Sequence, residues 1–187
     1  MLLTETTPQS TWNVLVLCTG NSARSIMAEA LFNAVAGDLF KAYSAGSYPT
    51  GKVNPFAIAQ LQKNGLLTTN FFSKSWDSFT GADAPELDFV LTVCDNAANE
   101  PCPVFAGDYL KVHWRFPDPA AYEEDEAAKA AFQSVFDTLK SRLERLKQAD
   151  RAVDKRVLHQ LMMRLVDEIP HHQTAGAEGT EKHEITH

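Results

Sequence analysis

Cys18 and Arg24 flank residues 19–23, and this short segment carries the side chains best suited to chemistry. The apolar run 14–17 before it predicts a buried strand, and Ser25 after it can cap a helix. A loop closed at the amino end of a helix turns backbone N–H groups inward and adds the positive end of the helix dipole, so we expect a concave anion site. There we expect Cys18 to be a thiolate nucleophile with a lowered pKa. Arg24 is expected to bind two oxygens of a tetrahedral oxyanion.

The expected anion-binding residues are Thr19, Gly20, Asn21, Ser22, Ala23, Arg24 and Ser25. The alternative is that Cys18 is a small buried hydrophobic residue, which is the commoner role of a cysteine after an apolar strand. A cysteine and an arginine at this spacing also occur together by chance. The strand, the Gly-Asn-Ser turn and the following helix favour the anion site, because the motif has the structural setting that it requires.

Asp118 precedes Pro119, and this pair is the second candidate for chemistry. Proline biases the residue before it toward an extended backbone, which can hold a carboxyl group over the anion. When a thiolate attacks a tetrahedral oxyanion, the departing oxygen leaves more easily if it receives a proton. We therefore expect Asp118 to be a general acid, although an Asp-Pro pair is more often only a turn.

Two further thiols follow the first loop. Cys94 ends a predicted strand, and Cys102 comes after seven intervening residues, in a Pro-Cys-Pro corner. A disulfide needs α-carbons about 4.4–6.8 Å apart, so the loop between these residues must bend or partly unwind to form one. The alternative is that both thiols are buried and structural. We expect no zinc site, because such a site needs four ligands at characteristic spacing and these cysteines form no C-x2-C pair.

Apolar runs alternate with amphipathic stretches along most of the chain. Strands are predicted at 14–17, 40–44, 87–94 and 109–113, and helices at 25–36, from 54, at 122–148 and up to 170. Strands alternating with helices form parallel βαβ units, which place the first loop beyond the carboxyl edge of the sheet. The expected fold class is α/β: a three-layer, four-stranded, mostly parallel open sheet with helices on both faces.

We divide the chain into a flexible N-terminal lead (1–11), one domain (12–148), and a C-terminal helix with a disordered tail (149–187). Apolar residues recur every four positions in the last helix, which predicts either docking on the domain or a partner surface. They are Val153, Val157, Leu161, Leu165 and Ile169. The histidines after it are expected to be solvated rather than metal ligands; these are His171, His172, His183 and His187.

Composition excludes several classes of function. The formal net charge of −7 argues against nucleic acid or an anionic membrane as the main partner, since both require a basic face. No stretch approaches the roughly 20 apolar residues of a membrane span, and the start shows no signal pattern. Three cysteines do not make a secreted disulfide framework, so we expect reactive thiols in a cytoplasmic protein.

The loop Cys18-Thr19-Gly20-Asn21-Ser22-Ala23-Arg24-Ser25, followed by Met27-Ala28-Glu29, resembles the active-site loop of the low-molecular-weight protein tyrosine phosphatase superfamily. Within that superfamily it resembles the thiol-dependent arsenate reductases. Further segments resemble the reductase branch in the same order: Tyr43-Ser44-Ala45-Gly46, Val53-Asn54-Pro55, Val93-Cys94-Asp95, Cys102-Pro103, His113-Trp114 and Asp118-Pro119-Ala120. The resemblance covers roughly residues 12–148, and it implies that superfamily's three-layer fold for an arsenate reductase domain.

The resemblance also implies a relay of oxidation. Cys94 and Cys102 stand where these reductases pass oxidation from the nucleophile to the surface. The loop between them looks about one residue longer here, and Ala23 stands where a further cysteine sometimes occurs. In this relay a Cys18–Cys94 disulfide forms first and Cys102 carries it outward, so that thioredoxin is the expected reductant. If the relay is external, glutathione with a glutaredoxin restores the thiol.

The resemblance also implies roles for the remaining site residues. Asn21 and Ser25 are expected to shape the loop and hydrogen-bond the thiolate. Some reductases of this kind bind potassium through residues resembling Asn21, Glu29 and Ser44. Ser75 stands where an acidic ligand would help, which argues against potassium here, and no tightly bound cofactor is expected.

Three functions remain open. The first is reduction of arsenate to arsenite through a Cys18 adduct, with Asp118 protonating the leaving oxygen. The second is a tyrosine phosphatase that hydrolyses phosphomonoesters through a phosphocysteine. Ala120 and Ala121 stand where such phosphatases carry aromatic residues, which favours a small inorganic oxyanion, although Tyr122 is close. The third is a non-catalytic oxyanion sensor.

Overall fold

A computed structural model of the 187-residue chain describes residues 10–172. The expected lead before residue 10 and the tail with His183 and His187 therefore lie outside the described residues. The strands are β1 (Trp12–Cys18), β2 (Phe40–Gly46), β3 (Phe89–Thr92) and β4 (Leu110–His113). The helices are α1 (Arg24–Val35), α2 (Pro55–Lys63), α3 (Asp95–Asn99), α4 (Asp125–Leu146) and α5 (Lys155–Glu168).

The four strands form one parallel sheet in the order β2-β1-β3-β4. Val14, Leu15, Val16 and Leu17 of β1 are all fully buried. Successive side chains of a strand point to opposite faces, so β1 is covered on both faces. This confirms the three-layer α/β fold, and it places the end of β1 at the carboxyl edge of the sheet.

Helix α1 begins one residue earlier than expected. Its N-cap is Ala23, which makes no side-chain capping bond, and Ser25 lies buried in the first turn. The expectation that Ser25 caps the helix is wrong, because its hydroxyl instead accepts a hydrogen bond from Asn21, 2.9 Å away. By contrast, Asn54 caps α2 as expected, and its side chain accepts a bond from the N–H of Phe56.

Helix α5 packs against the body of the protein through a face that shares Leu161 and Leu165 with the predicted stripe. Its buried residues are Leu158, Leu161, Met162 and Leu165, whereas Val157 is 55% exposed. A helix turns once in 3.6 residues, so positions spaced by three and four share one face and a strict spacing of four drifts off it. The indole N–H of Trp114, which follows β4, donates to the carbonyl of Met162, 2.9 Å away. No helix within residues 10–172 has the length and apolar character to span a membrane.

The chain after α5 returns to the body of the protein. His171 is half-buried, and its Nδ1 lies 2.9 Å from the hydroxyl of Thr138 on α4. Its ring packs edge-on against Phe116 at 5.2 Å between centroids. The expectation that His171 is solvated is therefore wrong, because the turn at Pro170 brings the ring against α4, whereas His172 is exposed as expected.

Candidate active site

The loop after β1 is held from outside by backbone hydrogen bonds. The carbonyls of Thr19, Gly20 and Ser22 accept bonds from the N–H groups of Tyr48, Thr50 and Asn54, at 2.9, 3.1 and 2.8 Å. In a trans peptide the N–H points opposite to the C=O. The N–H groups that follow these carbonyls, those of residues 20, 21 and 23, therefore turn toward the centre of the loop, as an anion site requires.

Asn21 fixes the shape of this loop. It is the one residue other than glycine with a positive φ, 44°, within residues 10–172, and its side chain is fully buried. Its amide nitrogen donates to the hydroxyls of Ser25 and Ser44, at 2.9 and 3.0 Å, and its oxygen accepts from the N–H of Lys74 at 3.0 Å. Asn21 and Ser25 thus hold the loop shape as expected. The Ser25 hydroxyl accepts from Asn21 and keeps its own proton to donate, so its bond to the Cys18 sulfur stays a prediction.

Gly46, at the end of β2, lies against the outer side of the loop. A Cβ at this position would be 2.4 Å from the carbonyl oxygen of Thr19 and 3.0 Å from the nitrogen of Asn21. Only glycine permits this approach without a shift of backbone. Gly46 thus allows the end of β2 to lie directly against the first loop.

The thiols of Cys18 and Cys94 are neighbours, so that one thiol proton can bond both sulfurs. This bond and burial raise the pKa of Cys18 above its ordinary value, although Arg24 and the N–H of Thr19 act in the opposite direction. The same bond lowers the pKa of Cys94 to about 5, against the effect of burial. The two thiols share one negative charge, and while Cys94 carries it the pKa of Cys18 stays raised. Spacing in the sequence does not reveal that a second thiol lies beside the first, and the thiolate nucleophile expected at Cys18 stays a prediction.

Cys94 is the N-cap of α3, and its sulfur accepts a bond from the N–H of Ala97 at 3.4 Å. The hydroxyl of Thr19 lies 3.5 Å from the same sulfur. These contacts favour a thiolate, as helix N-termini do for cysteines. Cys94 therefore lies beside the first loop, and these contacts stabilise its thiolate independently of Cys18.

Cys102 lies beyond the far end of α3 and is half-buried, and burial raises its pKa. All three cysteines are free thiols. The five residues of α3 rise about 7.5 Å, which already exceeds the span of a disulfide, so a Cys94–Cys102 bond requires α3 to unwind. The structure brings Cys18 and Cys94 together and leaves Cys102 apart.

Arg24 and Asp118 approach each other over the loop. One terminal nitrogen of Arg24 donates to the carbonyl of Phe116 at 2.7 Å, and the other lies 4.0 Å from a carboxylate oxygen of Asp118. Asp118 is half-exposed and its carboxylate accepts a bond from the N–H of Ala120 at 3.0 Å. A guanidinium and a carboxyl group at these positions can bind an oxyanion and protonate one of its oxygens.

The residues that resemble the potassium ligands of some reductases form a network of their own. Ser44 donates to a carboxylate oxygen of Glu29 at 3.1 Å. Burial raises the pKa of Glu29, and the nearby ammonium of Lys74 lowers it. Lys74 thus already supplies a positive charge there, and Ser75 caps the short helical turn Trp76–Phe79. No group of three metal-ligating side chains of the His, Cys, Asp and Glu types occurs in residues 10–172.

The rim of the site carries residues that the sequence did not single out. Ser73 donates to the carbonyl of Gly20 at 3.0 Å, and Tyr48, 75% exposed, holds Thr19 through its backbone. Backbone contacts of this kind leave no side-chain pattern in a sequence. Ala120 and Ala121 are exposed on the other side, and Tyr122 is half-buried.

Comparison with known proteins agrees with this geometry. The family described as "Low molecular weight phosphotyrosine protein phosphatase" matches residues 13–158. "Arsenate reductase" of Bacillus subtilis (strain 168) is 39% identical over 131 residues, which are 70% of this chain and 91% of that protein. The crystal structure of arsenate reductase from Archaeoglobus fulgidus DSM 4304 is 30% identical with a TM-score of 0.56, over 73% of this chain and 99% of that one. "An arsenate reductase in the phosphate binding state" is 25% identical with a TM-score of 0.55, over 74% of this chain and 98% of that one.

Proposed function

The chain belongs to the low molecular weight phosphotyrosine protein phosphatase family, and we propose that within it this protein reduces arsenate to arsenite through an adduct on Cys18. The observation that carries the proposal is that the thiols of Cys18 and Cys94 are neighbours. A phosphatase needs one thiol, because water resolves its intermediate. A reductase needs a second thiol beside the first, which bonds to the first sulfur as arsenic departs from it.

The first step forms the adduct. Arsenate enters the loop, where the inward N–H groups and Arg24 bind its oxygens. The sulfur of Cys18 attacks arsenic while its proton passes along the existing hydrogen bond to Cys94. One arsenic–oxygen bond breaks, and Asp118 supplies the proton with which that oxygen leaves as water.

The second step reduces arsenic. Cys94, after releasing its proton to solvent, attacks the sulfur of Cys18. A disulfide forms between the two residues, the sulfur–arsenic bond breaks, and its electron pair remains on arsenic, which leaves as arsenite. Two electrons have passed from the thiols to arsenic, so an external thiol reductant is required to restore them.

The third step returns the enzyme to its starting state. If the relay is internal, the thiolate of Cys102 attacks Cys94 and frees Cys18, and thioredoxin then reduces the Cys94–Cys102 disulfide. The length of α3 makes its unwinding a condition of this route. If the relay is external, glutathione with a glutaredoxin attacks the adduct or the first disulfide.

Arsenite release measured separately with a thioredoxin system and with a glutathione–glutaredoxin system tests the proposal. Cys94→Ser keeps a hydrogen-bonding side chain but removes the second thiol, so we expect turnover to stop with both donors. Cys102→Ser is the matched variant for the outward step, and it should stop turnover with thioredoxin alone. Unchanged glutathione-driven turnover in Cys94→Ser would eliminate the internal relay, and no arsenite release by the wild type would eliminate the reductase.

Phosphomonoester hydrolysis is the second candidate. The exposed aromatic side chain of Tyr48, held beside the loop through its backbone, favours it as a surface for an aryl group. Cys18, Arg24 and Asp118 would serve both reactions. Rapid turnover of an aryl phosphate without thiol-dependent arsenite release selects this function instead.

A further inference from the structure

Arg142 on α4 carries a buried charge without a counter-ion. Its side chain is 1% exposed, and no carboxylate among residues 10–172 forms an ion pair with it. Its Nε donates to the carbonyl of Ile169 at 3.0 Å, while its Nη1 is buried without any hydrogen-bond partner in the described part of the chain. Burying an unpaired charge is costly, and a buried guanidinium is ordinarily matched by an acceptor.

Aromatic rings cover the guanidinium but do not satisfy its hydrogen bonds. It lies 5.2 Å from the ring centre of Trp114 and 5.1 Å from that of Phe116. Such contacts stabilise the cation through the ring faces and leave its edge free for an acceptor. Burial lowers the pKa of Arg142 to about 10, so the side chain is charged at neutral pH.

A cavity of about 360 Å³ adjoins this side chain, lined by Arg115, Pro117, Arg142, Val166, Pro170 and His171. Arg115 is 73% exposed and donates through its Nε to Asp95, which leaves its terminal nitrogens available at the rim. Two arginines, one buried and one exposed, therefore line one cavity in a protein whose net charge is −7. The cavity is a local positive feature, separate from the loop that holds Cys18.

We propose that this cavity binds a carboxylate against Arg142. A planar two-oxygen anion matches the edge of a guanidinium. Pro117, Val166 and Pro170 line the cavity with carbon, which suits a carboxylate on an apolar stem better than a bare tetrahedral oxyanion. The proposal does not depend on the reaction proposed for Cys18.

A carboxylate could come from two sources. One is a free small molecule, for which succinate is a suitable probe. The other is the chain itself, since Pro170 and His171 line the cavity and the next glutamate, Glu178, follows six residues after His172. Six extended residues reach about 20 Å, which is enough to return to the cavity.

The pKa of the His171 ring reports whether a carboxylate occupies the cavity. Burial lowers the pKa of His171 most, and the charges of Arg142 and then of His172 lower it further. Arg115 lines the same cavity and adds positive charge. A carboxylate bound to Arg142 offsets that charge, so it raises the pKa of His171. Nuclear magnetic resonance of the imidazole signals, assigned with His171→Gln, measures this shift in the full chain.

In the wild type, succinate at constant ionic strength should shift the His171 signals saturably. Arg142→Lys keeps the charge but loses the planar fork, and it should weaken this binding about tenfold or more, as the loss of a charge-assisted hydrogen bond does. Arg145→Lys, on the exposed side of the same helix, is the matched control and should leave it unchanged. Val166→Glu places a tethered carboxylate at the cavity, and should raise the pKa of His171 and abolish the response to succinate.

A variant with Glu178→Gln, Glu181→Gln and Glu184→Gln distinguishes the two sources. If the chain supplies the carboxylate, this variant lowers the pKa of His171 and binds succinate more tightly than the wild type. If a free carboxylate is the ligand, both proteins give the same succinate curve. Val166→Glu is the positive control for the response of His171. The proposal is overturned if His171 of the wild type responds neither to succinate nor to the three glutamine substitutions, or if Arg142→Lys and the wild type respond alike to succinate.

Discussion

The thiols of Cys18 and Cys94 lie beside each other, at the point where the first loop meets the N-terminus of α3. The two residues are 76 positions apart in sequence. They meet because β1 and β3 are parallel neighbours, with Leu17 opposite Thr92, so that both strands end at the same edge of the sheet. The pair places a base and a second thiol beside the nucleophile before any substrate binds.

The hydrogen bond predicts a characteristic titration. In the wild type, one thiolate should form as the pH rises through about 5, the pKa of Cys94. Cys18→Ala removes the donor, so the pKa of Cys94 should rise toward its ordinary value. Cys94→Ala removes the largest cause that raises the pKa of Cys18, so that pKa should fall. Ultraviolet absorbance of the thiolate, recorded against pH for all three proteins, measures these pKa values.

Cys102→Ala is the control for this titration, because Cys102 lies outside the pair, and its first ionisation should match the wild type. The activity should depend on the same ionisation. Reduction should fail as the pH drops through about 5, where Cys94 gains a proton. A Cys18→Ala protein that still ionises near the same pH would show that the donor does not set the pKa of Cys94.

Gly46→Ala tests how the loop is built. The added Cβ would lie 2.4 Å from the Thr19 carbonyl oxygen, which is backbone and cannot rotate away. We expect a loss of about 1–3 kcal/mol in the free energy of unfolding, as overpacking causes. Phosphate affinity should also fall, because the displaced peptide carries an inward N–H group. Denaturant unfolding and calorimetric phosphate titration measure the two effects.

Gly81→Ala is the matched control for that substitution, since a Cβ there meets nothing within 4 Å and the backbone is not left-handed. It should leave both measurements unchanged. If Gly46→Ala binds phosphate as the wild type does, then the close contact with Thr19 does not maintain the anion site.

Asp118→Asn tests the general acid. The amide cannot donate the proton that the leaving oxygen needs, so the rate of adduct formation should fall by about 10²- to 10⁴-fold. Its interaction with Arg24 at 4.0 Å is half-exposed and contributes little, so phosphate affinity should change only a few-fold. Single-turnover kinetics with arsenate and phosphate titration separate the two effects. Asp125→Asn, an exposed carboxylate in the first turn of α4, is the control and should react as the wild type does.

Sequence patterns predicted the parallel sheet and the loop because strand runs and turn residues are local signals. They did not reveal that Cys94 lies beside Cys18 or that Asn21 bonds to Ser44, since these depend on contacts between β1, β2 and α3 that no spacing encodes. The α5 stripe was predicted only in part. Leu161 and Leu165 are buried whereas Val157 is exposed, because a strict spacing of four drifts off one face of a helix.

The last helix provides a further prediction. Leu165 is fully buried in the common core although it lies beyond residue 158, where the family match ends. We propose that α5 folds together with residues 12–148, so Leu165→Ala should lower the free energy of unfolding by about 2–5 kcal/mol, the usual cost of a core cavity. The neighbouring Met163 is 49% exposed, and Met163→Ala should change it little. Denaturant unfolding followed by tryptophan fluorescence reports the transition, because Trp114 bonds to α5. If Leu165→Ala leaves the midpoint unchanged, or adds a separate early transition, then α5 is a peripheral attachment rather than part of the cooperative fold.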